Sequence, residues 1–114
     1  MLRYLLVVII ALHGLIHFMG FAKAFEYADL KQLTIPVSRT AGVLWLFAGL
    51  LFLTSAILLL LQKDSWLMLA IPVVILSQVV IILSWSDAKF GTIANVLILA
   101  AAILSWGSMI LVNE

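Results

Sequence analysis

His13 and His17 interrupt the long apolar run around Leu12-His13-Gly14-Leu15-Ile16-His17-Phe18-Met19-Gly20. Positions four apart share one face of a helix, so the two imidazoles point the same way. Histidine changes charge near neutral pH, hydrogen-bonds through both ring nitrogens and binds metals. The pair therefore offers proton shuttling, ligand anchoring or a partial metal site. Inside hydrocarbon, both rings need a partner, water or a ligand.

The rest of the chain narrows that chemistry. There is no cysteine, which removes disulfides, thiolate metal sites and cysteine nucleophiles. Zinc takes three or four ligands, and no acidic residue lies inside an apolar run, so no metal is assigned. A bis-histidine haem needs ligands on opposite faces of the iron, which two histidines one turn apart on one helix do not supply. No nucleophile–base pair and no glycine-rich phosphate loop is present. The sequence thus names neither a catalytic residue nor a cofactor.

The elements that must position these histidines follow from composition. Of 114 residues, 67% are hydrophobic and 10% charged, far from the balance of about half apolar and a quarter charged in soluble domains. A net charge of +1 does not fit nucleic-acid binding, which relies on clustered Lys and Arg. Four runs lack any charge: 4–22, 40–61, 65–86 and 90–112. Each approaches the roughly 20 residues a helix needs to cross a bilayer. They are apolar on every face, unlike the alternating strands of a membrane barrel. The expected fold is all-α: a single integral membrane domain over 1–114, a four-helix bundle whose partner is the lipid bilayer. The first run is longer than a signal peptide's core and carries two histidines, so it reads as a retained helix.

Between the first two runs, Lys23 to Arg39 holds five of the eleven charges interspersed with Phe25, Tyr27, Leu30 and Leu33. This predicts a short interfacial segment, ended at Ile35-Pro36. Ser38 or Thr40 caps the second helix. That helix carries Gly42, Gly49 and Ala56 at heptad spacing, a stripe that lets another backbone approach. Pro72 predicts a kink in the third helix.

Four crossings put both termini and Lys63 on one side, and the loops 23–39 and 87–89 on the other. At about 1.5 Å per residue, His17, His13, Gln78 and Asn95 all lie within about 14 Å of that second side. Asp87 is shallower. A polar pocket lined by His13, His17, Gln78, Asn95 and Asp87 is therefore expected; the alternative is a set of hydrogen bonds that only joins helices. Arg3 and Lys63 on one side against Lys23, Lys31, Arg39 and Lys89 on the other place the loops 23–39 and 87–89 in the cytoplasm.

The stretch His13 to Phe21 resembles the helix-one signature of DoxX-like four-helix membrane proteins, in which a His-Gly pair precedes a lysine and then Gly-Phe. Gly42-Val43-Leu44-Trp45-Leu46-Phe47-Ala48-Gly49-Leu50 resembles that family's glycine-spaced second helix. Here His17 stands where the family usually has lysine. The resemblance covers about the first half of the chain and implies a bacterial inner-membrane bundle. It also implies an accessory subunit, since the family includes small subunits of quinone-linked oxidoreductases. Two functional expectations result. One is a structural or accessory subunit, partnered by a membrane complex or by its own copies, with a pocket for a quinone or lipid head group. The other is a small membrane enzyme or lipophile-binding bundle using His13 and His17.

Overall fold

The computed structural model describes residues 2–26 and 36–112. All secondary structure among them is helical: α1 (Leu2–Ala24), α2 (Arg39–Leu60), α3 (Trp66–Leu83), α4 (Trp85–Ala88) and α5 (Gly91–Val112). A helix of 22 residues, the length of α2, spans about 33 Å. Three helices, α1, α2 and α3, are long and apolar enough to cross a membrane, and α5 adds the apolar stretch Gly91–Trp106. The outside is greasy as well: Leu12, Ile16, Phe47, Ile75, Ile82 and Val96 are all exposed. Water would not tolerate so continuous an apolar exterior. This is a small multi-pass membrane protein.

Why helices form here is a matter of solvent. Hydrocarbon offers no hydrogen bonds, so each segment satisfies its own backbone. Ser38 caps α2, accepting from Ala41 N–H at 3.1 Å. At the other end of α2, Gln62 takes a left-handed backbone (φ 59°). Gln62 N–H then donates to Leu59 O and Lys63 N–H to Leu58 O, at 3.0 and 2.8 Å. Paired reverse bonds of this kind close a Schellman turn and satisfy the last carbonyls.

The helix α2 packs against both α1 and α3, and its glycines account for the contact with α1. A Cβ placed on Gly49 would stand 2.9 Å from the Gly14 carbonyl oxygen. Gly20 lies against the Trp45 ring, and Gly42 against Ala24. The α1 and α2 backbones therefore touch directly, the close approach small residues permit in lipid.

The end of the third run differs from expectation. The third run does not continue to Ser86. It ends at Leu83, turns at Ser84 (φ −120°, ψ 39°), and resumes as the single turn α4. Ser84, Ser86 and Asp87 have side chains that compete for nearby backbone, which disfavours a helix interior. The helix α3 runs through Pro72 without a break. The interfacial segment expected over 23–39 lies mostly outside the described residues.

Candidate functional site

The two histidines, supplied by α1 one turn apart, meet α3 and α5 in a buried hydrogen-bonded chain. His17 Nδ1 lies 2.7 Å from the His13 carbonyl oxygen, and His17 Nε2 lies 2.7 Å from Ser77 Oγ. Asn95 Nδ2 donates to Ser77 Oγ at 3.1 Å and to Gln78 Oε1 at 3.0 Å. His13 Nε2 is 2.8 Å from Asn95 Oδ1. Gln78 Nε2 donates to Thr92 Oγ1 at 3.0 Å. His17, Asn95 and Ser77 are almost wholly buried, at 1%, 2% and 0% exposure, where an unmade hydrogen bond is expensive.

These partners assign the protons. A backbone carbonyl only accepts, so His17 Nδ1 carries a hydrogen. With neutral rings His17 Nε2 must accept, and the Ser77 hydroxyl donates to it. Ser77 Oγ in turn accepts from Asn95 Nδ2, which points Asn95 Oδ1 at His13. His13 Nε2 therefore carries the hydrogen, and His13 Nδ1 keeps a lone pair. That nitrogen has no hydrogen-bond partner among the described residues. The tautomers follow from the acceptors and donors around each ring, anchored at one carbonyl.

Packing holds the rings in place. His13 and His17 sit edge to face, with centroids 4.6 Å apart. Phe52 from α2 lies 4.9 Å from His13 and 5.1 Å from His17, and Trp45 lies 5.1 Å from His17. Such tilted contacts suit aromatic quadrupoles.

Beside the rings is a cavity of about 370 Å³, within the range of small-ligand pockets. His13, His17, Trp45, Ile81, Asp87 and Gly91 contribute to its wall. Ile16 and Phe90 also border it, at 57% and 73% exposure. The cavity thus meets the apolar outer surface where α1 passes the corner between α4 and α5. Ser84, Asp87 and Ala88 reach the wall because the chain breaks at Ser84. Gly91 borders it without a side chain: a Cβ there would meet Ile81 Cδ1 at 2.9 Å and reach His13 Cε1 at 3.5 Å, ordinary van der Waals contact. Trp45 brings a buried indole N–H with no partner among the described residues, an exception to the rule that buried polar groups are paired.

The five residues singled out from the sequence divide between two roles. His13, His17 and Asp87 line the cavity. Gln78 and Asn95 do not; they border a groove on the far side, between α3 and α5, with Thr92 and Val79. The Asn95 amide holds His13 from behind, and Gln78 braces Asn95. Sequence reasoning passed over Ser77, which joins His17 to Asn95, and gave Trp45 no part in the site. One signal for Ser77 was available: it lies on the i±3/i±4 face shared with Val73, Val80 and Ile81, all buried. No cluster of three or more His, Cys, Asp or Glu residues suited to a metal occurs among the described residues. Compared as a whole chain, the protein matches no family model, and no curated protein or solved structure matches it.

Proposed function

We propose that this chain is a four-span bundle of the bacterial inner membrane, DoxX-like in its first two helices. We read it as an accessory subunit whose cavity receives the head of a membrane-soluble ligand, a quinone or a lipid head group. The observation that carries this reading is the cavity itself. It pairs polar ring nitrogens inside with the apolar residues Ile16 and Phe90 at its border, so a ligand can arrive from lipid and still find a polar anchor. Binding is favoured over catalysis because the hydrogen bonds of both histidines run to a hydroxyl, an amide and a carbonyl. The one hydroxyl–imidazole pair, Ser77 with His17, has its hydroxyl fully buried and shared with Asn95, outside the cavity wall, so it presents no nucleophile to a ligand there.

Protein purified in mild detergent is expected to co-purify with a lipophile detectable by mass spectrometry of the organic extract. Adding a short-chain quinone in its reduced, quinol form, or the extracted lipid, should raise its melting temperature, and Gly91→Trp, which fills the cavity, should abolish that rise. A monodisperse protein with an empty extract and no thermal response would remove the pocket reading. A stable larger partner in the same preparation supports the accessory role, and a solitary species contradicts it.

A further inference from the structure

Resting on that pocket reading, the tautomer chain says more about the ligand: we infer that the cavity selects a head group bearing an aromatic hydroxyl, which donates its hydrogen to His13 Nδ1.

Three observations converge on this. First, the chain of donors begins at the His13 carbonyl and runs through His17, Ser77 and Asn95 to His13 Nε2. It consumes the one ring hydrogen of neutral His13, so Nδ1 is an acceptor and cannot donate. A ketone or quinone oxygen placed there would set lone pair against lone pair; an O–H satisfies it. Second, His13 lines the cavity while its Nε2 is taken up by Asn95, so Nδ1 is the ring nitrogen left for a ligand. Third, the wall includes Trp45, Phe90 and the two imidazoles, which favour a flat ring over an aliphatic chain. Trp45, whose buried N–H has no partner among the described residues, also lines the cavity. A hydroxyl is a group that donates through its hydrogen while its oxygen still accepts.

The test uses the whole protein, ¹⁵N-labelled at its two histidines, in nanodiscs, with empty nanodiscs as the partition control. The probes are 4-decylphenol, its methyl ether 4-decylanisole, and 1-decanol. The phenol should bind at least about tenfold more tightly than the ether, the worth of one hydrogen bond together with the cost of leaving Nδ1 opposed. The ¹⁵N spectrum should show His13 protonated at Nε2 and His17 at Nδ1. The His13 Nδ1 resonance should move with the phenol and stay with the ether. Gly91→Ala, whose added methyl lies outside the hydrogen-bonded chain, should weaken the phenol at least about fivefold and leave the ligand-free tautomers of His13 and His17 as they are.

Equal binding of phenol and ether, with His13 Nδ1 unmoved, overturns the selection for a hydroxyl while leaving a lipophile pocket standing. Equal binding of 1-decanol and the phenol overturns the aromatic requirement. A ligand-free spectrum with the hydrogen on His13 Nδ1 removes the acceptor and the inference with it. If none of the probes binds and the organic extract is empty, the pocket reading itself has failed.

Discussion

Ser77 is a small side chain doing the work of a junction. Its hydroxyl satisfies His17 Nε2 and an Asn95 amide hydrogen at once, so Ser77→Ala leaves two buried polar groups without partners. The expected loss is about 1–3 kcal/mol, read as a lower midpoint in detergent unfolding. Gln78→Leu should cost less, about 0.6 kcal/mol, the average for a hydrogen bond between helices in lipid. Gln78 is only half-buried, and Asn95 keeps its bonds to His13 and Ser77 without it. Equal losses from the two substitutions would contradict the order of connections. The histidine pair was legible in the sequence because imidazole is rare in hydrocarbon. Ser77 was not, because a serine in a membrane helix can bond its own backbone, and only its neighbours show that it does otherwise.

Among the helices, the contact of α1 with α2 is the tightest described. Gly14 has Phe52 Cβ and the Gly49 carbonyl oxygen 2.9 and 3.1 Å from where its own Cβ would stand. Neither can move without shifting backbone, so Gly14→Ala should separate the helices and cost about 1–3 kcal/mol. Gly91→Ala meets chiefly Ile81 Cδ1, the free tip of a flexible side chain, and replaces the poorer helix former. It should leave the unfolding midpoint unchanged or raise it slightly, and a large loss there would show that Gly91 is packed rather than open. The heptad stripe of α2 announced that something packs closely. That α1 supplies the partner surface, through Gly14 and Gly20, depends on a register that glycine spacing alone does not set. The break at Ser84 was hidden for a related reason: the run stays uncharged to Ser86, and composition does not register a turn closed by backbone hydrogen bonds.

Taken together, the helices make a molecule apolar outside and locally polar within, and the four-span reading has a direct geometric consequence. Lys63 and Lys89 lie at opposite ends of α3 and α4 taken together, so they emerge on opposite sides of the membrane. Because the chain has no native cysteine, Lys63→Cys and Lys89→Cys can each be labelled singly with an impermeant maleimide. Lys89→Cys should react from the cytoplasmic side and Lys63→Cys from the other. Labelling of both from one side would rule out that path through the bilayer.

Helicity and residence in lipid were decided by composition, since a bilayer judges each segment on its own: about 20 apolar residues must close their backbone bonds internally whatever the rest of the chain does. The rotation of each helix about its axis was not decided that way. These segments are apolar on every side, so no polar face announces which residues turn inward. Only packing, led by the glycines of α1 and α2, brought Ser77 and Asn95 behind the imidazoles and set Trp45, Asp87 and Gly91 around the space in front of them.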